Sequence, residues 1–256
     1  MLAKRVIPTM LVRGRTLVKG ERFAGDRSIG HVQQAARVHA RRGVDELMIL
    51  DIGATAESRG PDLKMVEELA AECYIPITVG GGVRSVEDID ALLRAGADKV
   101  AICTGAIEVV GLVERAASRF GSQAIVVVIE HSDTKPITRA RCWRNGTAWI
   151  AGAGDPSAAM LAITQAADAG AGEIVVQSVE RDGTMEGYDL DLIREASKAV
   201  SVPVVASGGC KDYQDMLDAL NAGASAVAAG ALFAFTDATP RGAAQFLQRH
   251  NVEVRL

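Results

Sequence analysis

Ile75-Pro-Ile-Thr-Val-Gly-Gly-Gly82 and Val202-Pro-Val-Val-Ala-Ser-Gly-Gly209 are two copies of one pattern. Each is a short apolar run, opened by proline and closed by a glycine turn, which reads as a strand ending in a tight bend. The copies lie 127 residues apart. The same offset relates Ala95-Gly96-Ala97 to Ala222-Gly223-Ala224, and Glu46-Leu47 to Glu173-Ile174. A constant offset over four segments, close to half of a 256-residue chain, means two like halves, about 1–122 and 123–256.

Working outward, strand-like runs fall at Arg5–Leu11, Glu46–Asp51, Pro76–Gly80, Lys99–Cys103, Ala124–Glu130, Glu173–Ser178, Pro203–Ala206 and Ala226–Gly230, with helical stretches between. Ser85 and Asp88 read as a capping box opening the helix Val86–Ala95. Asp155-Pro156 and Thr239-Pro240 each pair an N-cap with proline at the first helical position. Gly96, Gly170 and Gly223 stand where helices end. Eight strand–helix units in this length predict one (β/α)8 barrel over residues 1–256, an α/β fold. A doubly wound sheet is the alternative, but it would more often carry a G-x-G-x-x-G turn after the first strand, and none is present.

An apolar content of 48% is enough to build a large core and excludes a disordered chain. The net charge of −4 argues against a general nucleic-acid binder, and 4% aromatics disfavours base-stacking surfaces. Cys73, Cys103, Cys142 and Cys210 form no C-x-x-C pair, and His31, His39, His131 and His250 show no metal-ligand spacing, so neither metal nor cofactor is expected. The longest apolar run, Ala226–Phe235, is far short of the roughly 18 residues a membrane span needs. With no secretory leader pattern in Met1–Met10, a cytoplasmic location is expected.

In a barrel the chemistry sits at the C-terminal ends of the strands. The turns Gly80-Gly81-Gly82 and Ser207-Gly208-Gly209 stand there, with Gly105 following barrel strand four and Gly230 barrel strand eight. Glycines let main-chain N–H groups close on an anion, so each half offers a seat for one phosphate, which implies a ligand phosphorylated at both ends. A single glycine turn would be merely a tight bend; the symmetry-related pair is what favours the anion reading. The sequence Arg181-Asp-Gly-Thr184 fits the same pocket. Other strand-end groups are Leu11, Asp51, Cys103, Thr104, Glu130, Gln177 and Ser178. Glu130 and Asp182 are the best acid–base pair, while Asp51 serves equally well as a turn cap.

Two segments exceed a minimal barrel. Val12–Gly30 is long and basic, and His131–Gly154 carries Asn145-Gly146 between alternating runs, a hairpin signal. Both follow strands and are expected to cover the active-site face. At the opposite face Arg5, Glu46, Lys99 and Glu173 start barrel strands one, two, four and six with alternating sign. They form either a ring of ion pairs plugging the barrel or a solvated rim.

These residues resemble a known family. Met1-Leu-Ala-Lys-Arg5, Val18-Lys19-Gly20, Asp45-Glu46-Leu47, Leu50-Asp51-Ile52, Thr78–Gly82, Gly96–Val100, Phe120–Gln123, Gly172–Ile174, Arg181–Thr184, Gly187–Asp189 and Ala206–Gly209 are similar, along essentially the whole chain, to the cyclase subunit of imidazole glycerol phosphate synthase (HisF). The related isomerase family shares the half-barrel repeat but fits Phe120–Gln123 and the four charges less well. The resemblance implies a glutaminase partner at the barrel bottom, whose ammonia crosses the interior to a phosphorylated acceptor at the top. It makes Arg5, Glu46, Lys99 and Glu173 the gate of that passage, and Asp98 and Gln123 part of the partner surface. Lys19, Asp51, Gly82, Cys103, Thr104, Gln177, Ser178, Asp182, Gly183, Ser207, Gly209, Gly230 and Ala231 become the substrate- and phosphate-binding set.

The departures from the family pattern are as informative. Its two catalytic aspartates fall at Leu11 and Glu130, and its pocket Asn and Thr at Cys103 and Gln177. Leucine moves no proton, and Glu130 displaces its carboxyl by a methylene, a shift of about 1 Å of the kind that costs ~10²-fold in rate. A branch with leucine at the first position supplies ammonia for amidino modification of bacterial surface sugars. The sequence therefore implies an ammonia-delivering subunit with a variant acceptor. The alternatives are a genuine cyclase of histidine biosynthesis, a partner-free phosphosugar isomerase, and a catalytically silent or engineered phosphate-binding barrel.

Overall fold

A computed structural model describes residues 3–132, 141–144, 147–150 and 156–255. The first half contains β1 (Arg5–Arg13), β2 (Thr16–Glu21), β3 (Ala24–His31), α1 (Val32–Arg41), β4 (Leu47–Asp51), α2 (Leu63–Glu72), β5 (Ile77–Gly80), α3 (Val86–Arg94), β6 (Lys99–Ile102), α4 (Thr104–Glu108) and α5 (Leu112–Phe120). The second contains β7 (Ile125–His131), β8 (Arg141–Arg144), β9 (Thr147–Ile150), α6 (Pro156–Asp168), β10 (Glu173–Ser178), α7 (Leu190–Ala199), β11 (Val204–Ser207), α8 (Tyr213–Asn221), β12 (Ala226–Ala229), α9 (Ala231–Phe235) and α10 (Pro240–Arg249).

The strands β1, β4, β5, β6, β7, β10, β11 and β12 pair in that order, all parallel, and β12 returns to β1 through Arg5↔Ala226 to Pro8↔Ala229. The sheet is therefore closed, a (β/α)8 barrel as the sequence predicts. The span Glu173–Ser178 is as expected, the other strand bounds differ from those expected by one or two residues, and β1 runs on to Arg13 because it continues into a hairpin with β2.

Strand period sorts the side chains into two layers. Ile7, Met48, Val126, Val128, Val175, Val205, Ala226 and Ala228 point inward and fill the barrel with a small apolar cluster. Their neighbours, such as Val6, Ile49, Val127 and Ile174, point outward and bury the helices' apolar stripes. Burial of each such aliphatic side chain contributes about 1.5–3 kcal/mol relative to exposure.

The helix ends follow the local signals. Ser85 Oγ accepts from the Asp88 N–H while Asp88 accepts from the Ser85 N–H, so the capping box is complete. Thr239 caps α10 with Pro240 at its first turn. Asp155 lies outside the described residues, and α6 begins at Pro156.

Val12–Gly30 is a hairpin extension: β2 pairs antiparallel with β1, and β3 with β2. It was legible as an insertion but not as strands. Its two turns carry no Asn-Gly or Asp-Gly signal; Gly14-Arg15 and Arg22-Phe23 make them. The second places two non-glycine residues in the left-handed region, Arg22 at φ 53° and Phe23 at φ 59°. In the second insertion β8 and β9 pair with Arg144 opposite Thr147, the hairpin that Asn145-Gly146 predicts.

Candidate active site

The strand C-terminal ends open into a cavity of about 410 Å³. Leu11 from β1, Asp51 from β4, Gly82 after β5, Cys103 and Thr104 after β6, Glu130 from β7 and Gln177 from β10 all line it, as does Asp182 from the loop beyond β10. Six separate βα connections thus deliver residues expected from sequence to one place. Leu50, Ala101 and Val128 form its apolar floor. A second, much smaller space of about 20 Å³ adjoins it, shared by Lys19, Gln177, Asp182, Gly183, Ser207, Gly209, Gly230 and Ala231. Ser178 lines neither cavity. It is buried, and its carbonyl stands so close to Gly208 that a Cβ there would approach it to 2.6 Å.

The second half's groups form a chain. Ser207 Oγ donates to Gln177 Oε1 at 2.6 Å, and Gln177 Nε2 donates to Asp182 Oδ1 at 3.0 Å. Gln177 therefore ties the ends of β10 and β11 to the loop and presents Asp182 to the pocket. Burial raises the pKa of Asp182, opposed by Lys19 and by the Gln177 amide. Lys19 is itself buried, which lowers its pKa against the pull of Asp182.

Asp51 takes the structural role foreseen as its alternative. Its Oδ1 accepts from the N–H groups of Gly53 and Ala54 at 3.0 and 3.2 Å, and Arg59 pairs with Oδ2 at 2.8 Å. It holds the turn that supports Gly82, whose Cβ position would lie 2.5 Å from the Arg59 carbonyl.

The cavity's cover was not foreseen residue by residue. The tip of the β2–β3 hairpin brings Arg22, Phe23 and Asp26 over the mouth. The Arg22 N–H donates to the Asp182 carbonyl at 2.8 Å and its Nε to the Glu180 carbonyl at 3.1 Å. Gly183, at φ +75°, allows this seat, since a Cβ would come within 2.2 Å of the Gly20 carbonyl. The basic character of this segment was the available signal, but its aim at residues 180–183 depends on a contact about 160 positions away along the chain.

At the opposite end the four charges close a ring. Arg5 pairs with Glu46 at 2.6 Å and with Glu173, and Lys99 pairs with each of them at 2.9 Å. Both carboxylates are almost wholly buried, so this is a plug rather than a solvated rim. Burial favours a neutral Glu46, but Lys99, the Thr78 hydroxyl and Arg5 outweigh it and hold the carboxyl below its usual range. Asp98 and Gln123 are exposed on the same face. The Asp98 carboxylate also accepts from the Ile77 N–H at 2.9 Å, and Gln123 donates to the Phe120 carbonyl at 3.3 Å.

No helix of the described residues is long and apolar enough to cross a membrane. Among the described residues no cluster of His, Cys, Asp or Glu could hold a metal ion.

Comparison with known proteins places this geometry. Residues 5–239 match the histidine biosynthesis protein family. The chain is 38% identical over 258 residues to the imidazole glycerol phosphate synthase subunit HisF of Dictyoglomus thermophilum, covering the whole of both chains. With a closed (β/α)8 barrel, a site at its strand ends and a likeness that runs from end to end, the chain belongs to the HisF family of histidine biosynthesis proteins.

Proposed function

We propose that this chain is the acceptor-side subunit of a glutamine-dependent synthase. Ammonia released by a glutaminase partner docked at the barrel bottom, over Asp98 and Gln123, enters at the ring of Arg5, Glu46, Lys99 and Glu173. It travels the apolar interior to a phosphorylated small molecule at the top. Both the ring and the interior support this reading. The interior between ring and cavity is lined by Ile7, Met48, Val126, Val175 and Val205, which disfavours ammonium and water and suits a small neutral molecule. The glycine turns at Gly82 and Gly209 supply main-chain seats for phosphate.

The observation that carries the choice of acceptor is Leu11. It stands in the central cavity opposite Glu130, so the family's pair of aspartates is reduced to one carboxyl, lengthened by a methylene. We read this as a subunit whose acceptor differs from the histidine-pathway intermediate, an amidino-modified surface sugar being the class that the leucine branch implies. The decisive experiment is ammonia-dependent turnover of the phosphoribulosyl-formimino carboxamide nucleotide by the purified protein. No turnover is expected, with ligand binding retained. Clear turnover would establish a histidine-pathway cyclase in which Glu130 and Asp182 share the proton transfers. That second reading draws on Asp182, a half-buried carboxyl of raised pKa in the same cavity.

A further inference from the structure

The 127-residue offset that relates Gly82 to Gly209 also relates Arg84 to Lys211, Ser85 to Asp212 and Asp88 to Asp215. In each half a cation follows the glycine turn and stands just before the N-cap of the next helix. Its main-chain N–H is pinned in the same way in both. Arg84 donates to Asp88 Oδ2 at 2.9 Å, and Lys211 donates to Asp215 Oδ2 at 2.8 Å. The two backbones match, but the two side chains do not.

Lys211 is paired within its own helix start, with Nζ 3.5 Å from Asp212 and 3.9 Å from Asp215, and it lines neither cavity. Arg84 lines the central cavity beside Gly82, Thr104 and Gly105. Among the described residues its guanidinium has no hydrogen-bond or ion-pair partner. The sequence explains the difference. Where the second half has Asp212 at the N-cap, the first has Ser85, which offers no carboxylate. Asp88 Oδ2 is already occupied by the Arg84 and Ser85 N–H groups, and Asp51 is held by Arg59. The other arginines of the cavity are engaged, Arg13 with Asp26 at 2.6 Å and Arg22 with the Glu180 carbonyl at 3.1 Å. The second half has a cation from elsewhere, since Lys19 lines the space shared by Gly209 and Gly230. A guanidinium carries its donors in a planar fork that matches two oxygens of a phosphate.

We propose that Arg84 is the side-chain anchor of the first seat, closing its fork on the acceptor phosphate that the main chain around Gly82 and Thr104 receives. This rests on the reading of a phosphorylated acceptor given above and adds to it a residue that selects for the anion. Each seat then has one cation, Arg84 from the barrel frame and Lys19 from the hairpin.

Orthophosphate titrated into ¹⁵N-labelled protein tests this, with the Gly82 and Thr104 amides reporting the first seat and those of Gly209 and Gly230 the second. Arg84→Gln is expected to weaken the first seat by about tenfold, the worth of charge-assisted hydrogen bonds at an open site, and to leave the second unchanged. Arg84→Lys, which keeps the charge and loses the fork, should fall between. Lys211→Gln should alter neither seat. First-seat affinity in Arg84→Gln equal to that of the wild type would overturn the proposal and leave the phosphorylated-acceptor reading standing. Equal weakening of both seats would overturn it too, since a local anchor acts on one. A wild type whose Gly82 and Thr104 amides never respond would overturn that reading together with the proposal. The second seat serves as the check that each variant is folded, and Arg84→Lys carries the comparison if Arg84→Gln is not.

Discussion

Leu11 and Glu130 sit on β1 and β7, the first strands of the two halves, and face one cavity. Restoring a carboxylate with Leu11→Asp is expected not to produce an efficient histidine-pathway cyclase, because on the function proposed above Glu130, Cys103 and Gln177 still depart from the family's pocket. Leu11→Asp with Glu130→Asp should gain more than either change alone, measured as ammonia-dependent turnover of the pathway intermediate. Full rescue by the single change would contradict the variant-acceptor reading. A second residue has consequences far from the site. His39 on α1 is half-buried against the Phe233 ring, its Nδ1 has no hydrogen-bond partner, and desolvation depresses its pKa from 6.5 to about 4. Between those values the unfolded chain holds a proton that the folded one excludes. The contribution is thus intact above pH 6.5 and is lost as pH falls toward 4, by at most ~1.4 kcal/mol per unit. Urea unfolding at pH 7 and pH 5 should show this slope, and His39→Leu should flatten it.

At the scale of the element, the β2–β3 hairpin is the part that local rules describe least well. Its tip keeps Arg22 and Phe23 in a conformation that glycine and asparagine prefer. Phe23→Gly is expected to stabilise the fold by about 1 kcal/mol through relief of the left-handed backbone, seen as a rise in the urea midpoint. The same change removes a wall of the cavity, so phosphate-sugar binding should weaken while stability rises. This is also where sequence reading stopped. The eight barrel strands, the capping box at Ser85 and the hairpin at Asn145-Gly146 were legible because each depends on neighbours within a few residues. Glycine turns and strand ends likewise place most of the candidate site on one face. The hairpin's strands were hidden because their turns lack the usual residues. The approach of Lys19 to Gly230 was hidden because the two lie 211 positions apart. Asp51 could be read either way, since only the position of Arg59 decides that its carboxylate is engaged.

On the scale of the whole molecule, the ring of Arg5, Glu46, Lys99 and Glu173 links β1, the start of β4, β6 and β10, and so bridges the two halves at one end. Arg5→Ala leaves the buried Glu46 and Glu173 to share one cation, Lys99, with the Thr78 hydroxyl still on Glu46. The expected loss is about 1–3 kcal/mol, the cost of buried acceptors deprived of a partner, read from chemical unfolding. Lys99→Met should instead be milder in combination with Glu46→Gln than alone, because the pair of changes leaves fewer unmatched charges inside. The other end is fastened differently. The hairpin rests on residues 182 and 183 through the Arg22 N–H, the Asp182 carbonyl and the bare approach of Gly20 to Gly183, all of them main chain apart from the Arg22 guanidinium. A fastening made of backbone is indifferent to what grows beneath it. The pocket positions 11, 103 and 130 are thereby free to drift through mutation while the roof keeps its fit, so that one ancestral vessel can be refitted for new acceptors without being rebuilt.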